Sequence, residues 1–151
     1  MTDLPMILLP GLNGDPRVFA PQAAAFPDVR PVRWTLPPRG DRLAVYAARL
    51  AGSLGRVGPC VVVGVSFGGI VATELARHVD ATACVVIASA RDPAGPPPCP
   101  LVQIHGDRDR QFPGGTAVAD HVIAGGGHLL TITHAEQVNA ILADVVRRHA
   151  A

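Results

Sequence analysis

The chain contains no lysine, and all 13 of its basic residues are arginine. Twelve Asp and Glu residues balance them and leave a formal net charge of +1. The arginines form no basic stripe along the sequence, so the charge pattern excludes nucleic acid as a natural partner. We attribute the absence of lysine to the composition of the source genome, and it indicates nothing about function.

Other signals are missing as well. Three cysteines are too few for a disulfide framework, and Cys60 and Cys84 lie in apolar segments where they resemble small core residues. There is no signal peptide and no apolar run long enough to cross a bilayer. We therefore expect a single domain over residues 1–151 that is cytoplasmic and has no membrane partner.

Cofactor and metal signatures are also absent. The six histidines show no metal-ligand spacing. The glycine-rich segment at Gly11 and Gly14 has neither a G-x-G-x-x-G pattern nor a P-loop lysine, which argues against nucleotide binding. The expectation is a protein without metal or cofactor.

Short apolar runs alternate with helical stretches, which is typical of βα units around a parallel sheet. The runs are nearly continuous in Val, Ile and Leu, as expected for strands covered on both faces. The pattern predicts an α/β fold, a three-layer α/β/α sandwich with a mostly parallel sheet of about six strands. We predict strands over 6–9, 31–35, 60–65, 83–88, 101–105 and 121–124, and helices over 16–25, 42–54, 67–78 and 135–149.

Helix boundaries have local signals. Asp15 followed by proline predicts a helix start, and Gly55 predicts a helix end. Thr133 and Glu136 have the spacing of a capping box for the last helix.

Ser66 lies in the sequence Gly-Val-Ser-Phe-Gly, between an apolar strand and a predicted helix. The flanking glycines allow a sharp turn that would lift the serine hydroxyl above the end of the strand. A hydroxyl needs a base, a carboxylate and oxyanion donors to act as a nucleophile. A glycine-rich strand-to-helix turn without catalytic function would have the same local pattern, so the rest of the chain has to supply these groups.

The remaining groups follow later strands. His128 comes directly after three glycines, on a loop from which its ring could reach another part of the fold. Asp107 and Asp109 follow the predicted strand 101–105, and Asp92 follows the strand before it. All three carboxylates are candidates for the residue that orients the imidazole.

Four segments in this order resemble the α/β-hydrolase superfamily over nearly the whole chain. Pro10-Gly11-Leu12 is similar to the family's His-Gly-x oxyanion loop, with proline where many members have histidine. Residues 64–68 resemble its nucleophile turn, 106–109 its Gly-x-x-Asp acid loop, and 127–128 its Gly-His segment. The order Ser, Asp, His is also the one that this family uses.

The resemblance implies a role for each matched position. Ser66 would be the nucleophile, His128 the base, and Asp109 rather than Asp107 the acid, with Asp92 as the alternative because some members place the acid one strand earlier. The backbone N–H groups of Leu12 and Phe67 would form the oxyanion hole.

On this resemblance we expect the family's first two strands to be absent, and residues 91–100 to be too few for a helical lid or cap domain. The resemblance therefore implies a truncated, open serine hydrolase that cleaves a small carboxylic ester or thioester. The binding partner would be a small-molecule acyl substrate. The sequence is compatible with either a monomer or a homo-oligomer. The alternative is a catalytically silent binding or interaction module of the same fold.

Overall fold

The computed structural model describes residues 3–35 and 37–150. Six strands are present: β1 (Met6–Leu9), β2 (Val29–Pro31), β3 (Cys60–Val65), β4 (Ala81–Ile87), β5 (Leu101–Gly106) and β6 (His121–Ile123). The helices are α1 (Ala20–Ala25), α2 (Leu43–Leu54), α3 (Phe67–Leu75), α4 (Leu130–Thr133) and α5 (Ala135–His149), with short 3₁₀ turns at Pro16–Phe19 and Gly115–Ala117.

The strands form one parallel sheet in the order β2-β1-β3-β4-β5-β6. After β1 the chain forms β2 on one side of β1, and it then returns to form β3 on the other side of β1. The loops that follow β1 and β3 therefore diverge and leave a crevice at the carboxyl ends of these strands. Crevices of this kind are the usual ligand sites of parallel sheets.

Alternate residues of the strands pack into two cores, one on each face of the sheet. One core lies beneath α1 and α5 and includes Leu8, Val63 and Leu142. The other includes Leu9, Val62 and Val71 and packs against α2 and α3. β1 and β3 are buried on both faces, which explains their unbroken apolar sequences.

The strand predicted at 31–35 lies earlier in the chain than expected. β2 covers Val29–Pro31, and only the Val32 N–H extends the pairing, to the Leu8 carbonyl. Beyond that point β1 has ended, and the Trp34 N–H instead donates to the carbonyl of Gly14. The prediction was wrong because β1 is too short to pair beyond Val32, so the apolar Trp34 is buried outside the strand ladder.

Three helix predictions also need correction. The capping box at Thr133 is not formed, because its hydroxyl donates to the Leu129 carbonyl within an additional short helix, α4, and His134 is the residue that precedes α5. α3 ends at Leu75, three residues before its predicted end. The predicted helix 16–25 begins as a 3₁₀ turn, in which Asp15 caps the Arg17 N–H.

Long crossovers are missing on one side of the sheet. Residues 88–100, between β4 and β5, contain no helix, and the link from β5 to β6 holds only the 3₁₀ turn Gly115–Ala117. The site at the carboxyl edge thus has no lid from this connection. Among the described residues, no helix has the length and apolar character needed to cross a membrane.

Candidate active site

Ser66 occupies a strained turn between β3 and α3. Its φ of 55° lies in the left-handed region that residues other than glycine rarely adopt. Gly64 and Gly68 make the turn feasible, since a Cβ at position 64 would collide with the Gly68 carbonyl and one at position 68 with the carbonyls of Leu9 and Pro10. The turn therefore raises the serine above the sheet and presses the start of α3 against the end of β1.

The loop that carries His128 is fastened to the loop that follows β5. Asp107 accepts a hydrogen bond from the Gly125 N–H at 2.8 Å, and the Arg108 N–H donates to the Gly126 carbonyl at 2.9 Å. Gly106 lies so close to Gly126 that a side chain at position 106 would not fit. Glycines at both positions thus let the two loops lie against each other.

Ser66, His128 and Asp109 come together through these loops, although they follow three different strands. His128 Nε2 lies 2.9 Å from Ser66 Oγ, and Nδ1 lies 2.9 Å from Asp109 Oδ2. The His128 side chain is 16% exposed and that of Asp109 is fully buried. With the proton on Nδ1, the ring donates to the carboxylate and its Nε2 accepts from the serine hydroxyl.

Asp109 is held as a carboxylate despite its burial. Burial alone would raise its pKa, but the hydrogen bonds from His128 and from the backbone N–H groups of Gln111 and Phe112 outweigh that effect and hold the pKa below its ordinary value. Both oxygens are occupied, Oδ1 by the backbone and Oδ2 by the imidazole. The carboxylate is therefore charged and fixed in orientation at neutral pH.

The two rival carboxylates have other partners. Asp107 binds the Gly125 N–H, as described above. Asp92 accepts from the Ala94 N–H, and its other oxygen is buried without a hydrogen bond among the described residues. Burial, followed by the proximity of Asp92, raises the pKa of Glu74. Neither rival is hydrogen-bonded to His128.

The candidate oxyanion donors lie on the two sides of the crevice. Gly11 packs against Ser66, because a Cβ there would lie 3.7 Å from Ser66 Cβ. The N–H groups of Leu12 and Phe67 donate to no group of the described residues. Trp34 joins the two sides: its indole N–H donates to the Pro10 carbonyl at 3.2 Å, and its ring stacks on Phe67 at 5.5 Å.

Ser89 is a contact that the sequence did not reveal. It follows β4, is 4% exposed, and donates through Oγ to the carbonyl of Ser66 at 2.7 Å. Ala88, directly before it, has a φ of 50°, a second left-handed residue beside the nucleophile turn. The only signal in the sequence is a small polar residue directly after a buried strand, which is too common to be specific.

The surroundings of the imidazole are apolar. The Phe112 ring lies 5.6 Å from that of His128. His105, at the end of β5, is 1% exposed and packs against Gly115, and neither of its ring nitrogens has a hydrogen-bond partner among the described residues. Burial lowers its pKa, with Asp109 and His128 as further influences of opposite sign. His105 is thus a neutral structural residue beneath the site.

Comparisons with known proteins agree with this architecture at the level of the fold. No family model and no curated protein matches the sequence. Solved structures do match. MGS-MChE2, an α/β-hydrolase enzyme from a sediment metagenome of the Mar Chica lagoon in Morocco, is 18% identical, with a TM-score of 0.74 over 97% of this chain and 92% of that one. This chain has the α/β-hydrolase fold.

Two further structures lead to the same result. NosK from Streptomyces actuosus is 16% identical, with a TM-score of 0.76 over 98% of this chain and 99% of its own. A thermophilic esterase from Thermogutta terrifontis is 17% identical, with a TM-score of 0.71 over 99% of this chain and 92% of that chain. Since these identities are low, the likeness establishes only the α/β-hydrolase fold. The activity has to be inferred from the geometry of the candidate site.

Proposed function

We propose that the protein is a serine hydrolase that cleaves small carboxylic esters or thioesters through an acyl-enzyme. Ser66 Oγ attacks the acyl carbon while His128 Nε2 takes its proton, and Asp109 stabilises the resulting imidazolium. The tetrahedral intermediate collapses, and the leaving alcohol or thiol departs with the proton from His128. Water, activated by the same imidazole, then releases the acid and regenerates Ser66.

One observation carries this proposal: the two 2.9 Å contacts that link Ser66 Oγ, His128 and Asp109 in series. A serine held at a φ of 55° costs free energy on the order of 1–3 kcal/mol, which a purely structural turn has no need to store. The esterase among the similar structures supports the same reaction class.

The oxyanion site would consist of backbone alone. Leu12 follows Gly11, which packs against Ser66, and Phe67 follows Ser66 itself; the N–H groups of both residues have no partner in the described chain. Phe67 is the first residue of α3, so its N–H also carries the positive end of the helix dipole. Side-chain substitutions at these two positions should accordingly cost less activity than the loss of a triad member.

The first test is Ser66→Ala, measured by hydrolysis of p-nitrophenyl esters and by labelling with a fluorophosphonate. We expect turnover to fall by about 10⁴-fold or more and labelling to be lost, while circular dichroism stays unchanged. Undiminished esterase activity in this variant would exclude Ser66 as the nucleophile. A complete lack of turnover and labelling in the unaltered protein would instead favour a silent interaction module.

A second test compares three carboxylates. Asp109→Asn should lower kcat by about 10⁴-fold, because the amide no longer orients or stabilises the imidazolium. Asp107→Asn and Asp92→Asn are matched controls that should each cost less than about tenfold, since neither side chain binds His128. A larger loss in Asp92→Asn than in Asp109→Asn would reverse the assignment of the acid.

Acyl length tests the substrate class. Leu12 follows Gly11, which packs against Ser66, and Leu129 follows His128 in the sequence. Their side chains are 58% and 52% exposed, so they offer only a small apolar surface to an acyl group. We expect kcat/KM to be highest for acetyl to butyryl p-nitrophenyl esters and to fall for longer chains, because an open site gains little from each added methylene. A strong preference for long chains would contradict the open-site reasoning.

A further inference from the structure

Six exposed arginines lie in loops at the carboxyl edge of the sheet, the edge that also carries the proposed active site. This basic rim consists of the arginines in the loops after β2, β4 and β5: Arg33, Arg39, Arg42, Arg91, Arg108 and Arg110. All six are exposed, and none forms an ion pair within 4.0 Å in the part of the chain that the structure describes. Because a parallel sheet directs these loops to one edge, residues scattered over the sequence face the same solvent region as Ser66.

The carboxylates of that edge are already engaged. Asp15 and Asp41 pair with Arg17 and Arg49, and Asp109 holds His128. Asp92 accepts from a backbone N–H and is partly buried. Asp107 is exposed at this edge and accepts from the Gly125 N–H. The exception is Glu136, which is exposed in the first turn of α5 and forms no ion pair within 4.0 Å among the described residues. The six arginines of the rim therefore outnumber the two exposed carboxylates at this edge.

We propose that the basic rim binds a phosphate group on the leaving side of the substrate, so that the preferred acyl donor is a phosphate-bearing ester or thioester. This inference rests on the proposed hydrolase function. Guanidinium groups bind phosphate through paired N–H donors and keep their charge at any physiological pH. A charged rim around an open site also raises the rate of encounter with an anionic substrate.

The distribution of the rim argues for a group on the substrate. Arg39 and Arg42 lie in the loop after β2, and Arg108 and Arg110 flank Asp109 in the loop after β5, so the arginines come from loops on both sides of β3, the strand that Ser66 follows. The formal net charge of the whole chain is only +1, so a long polyanion such as a nucleic acid would meet little net attraction. A compact polyanion that enters the site with its acyl group needs only guanidinium groups around the entrance.

The test uses substrate pairs that differ in phosphate. Acetyl-coenzyme A is compared with acetyl-pantetheine, and para-acetoxyphenyl phosphate with para-methoxyphenyl acetate. At low salt we expect kcat/KM to favour the phosphate-bearing member of a pair by about tenfold or more. The preference should disappear between about 0.01 M and about 1 M salt, because the screening length falls from about 30 Å to about 3 Å.

Paired variants locate the effect. Arg39→Gln with Arg42→Gln, and Arg108→Gln with Arg110→Gln, should each reduce the phosphate preference and leave kcat/KM for the neutral member unchanged. Arg30→Gln with Arg56→Gln removes the same charge from exposed positions outside the rim, and it should retain the preference. Unchanged turnover of the neutral substrate also shows that each variant is folded.

Every outcome decides the inference. The inference is supported if either pair shows a salt-sensitive preference for phosphate that the rim variants lose and the control variant retains. Turnover of an acetylated phosphopantetheinyl carrier protein then distinguishes a protein-bound donor from free coenzyme A. Turnover of both members of each pair at equal rates overturns phosphate binding by the basic rim but leaves Ser66 as the nucleophile. Absence of any turnover and of fluorophosphonate labelling overturns the proposed function and the inference with it.

Discussion

Alanine at Gly68 should disrupt the active site even though alanine is the better helix former. Gly68 is buried in the first turn of α3, and a Cβ there would lie 2.2 Å from the carbonyl oxygens of both Leu9 and Pro10. Both obstacles are backbone, so no rotamer change can relieve the collision. The loop that begins at Pro10 must instead move away from α3 by about 1 Å to restore normal contact distances.

The magnitude follows from two opposing effects. Alanine gains about 1 kcal/mol over glycine inside a helix, whereas overpacking of this kind costs up to about 3 kcal/mol. We therefore expect Gly68→Ala to lower the free energy of unfolding by about 2 kcal/mol. Displacing the Leu12 N–H by about 1 Å should in addition lower kcat by about 10²-fold.

Gly52→Ala is the matched control. Gly52 lies in α2, is exposed, and has no atom within 4 Å of the position that a Cβ would take. This variant should be more stable by about 0.5–1 kcal/mol and fully active. Urea unfolding gives the stability and p-nitrophenyl acetate the kcat. If Gly68→Ala were as stable and as active as Gly52→Ala, the close packing of α3 against the oxyanion loop would be refuted.

Two further outcomes concern residues beneath the site. Ser89→Ala removes the buried hydrogen bond to the Ser66 carbonyl and should cost about 1 kcal/mol of stability. Ser89→Ala should lower kcat several-fold with KM unchanged. The control Ser53→Ala loses an exposed hydroxyl contact of the same length and should leave kcat intact. Equal kinetics in both variants would rule out a positioning role for Ser89. Burial holds the pKa of His105 in the folded protein below its ordinary value of 6.5. As the pH falls through 6.5, the unfolded chain therefore binds a proton at His105 that the folded protein does not bind. The free energy of unfolding should then decline between about pH 7 and pH 5 by up to about 1.4 kcal/mol per pH unit, and His105→Leu should flatten this decline; an unchanged slope would show that His105 titrates normally.

Much of the fold was predictable because its signals are local. The run Cys60–Val65 is apolar at nearly every position and forms β3, a central strand buried on both faces. Gly55 ends α2 with a φ of 69°, as its position after an apolar stripe indicated. The last helix covers Ala135–His149, the predicted range, because its apolar residues recur at helical spacing.

Predictions failed where a competing contact overrides the expected pattern. The apolar residues Val32 and Trp34 suggested a strand, but Trp34 is buried against the Pro10 carbonyl and Phe67 instead of pairing along β1. Thr133 has the spacing of a capping box, but the preceding turn offers the Leu129 carbonyl to its hydroxyl. The partners of Trp34 are distant in the sequence, whereas Thr133 exchanges one local hydrogen bond for another, four residues back along the chain.

The same division holds for the candidate site. The sequence alone determined which residues are candidates for the chemistry and the strand that each one follows, because Gly-x-Ser-x-Gly and Gly-His are local signatures at strand ends. Only the tertiary structure decided that Asp109, rather than Asp107 or Asp92, contacts His128, since all three carboxylates follow strands that end at the same edge. It also decided that Ser89 supports Ser66, because a hydrogen bond between adjacent strands depends on their register, and register is a property of the assembled sheet.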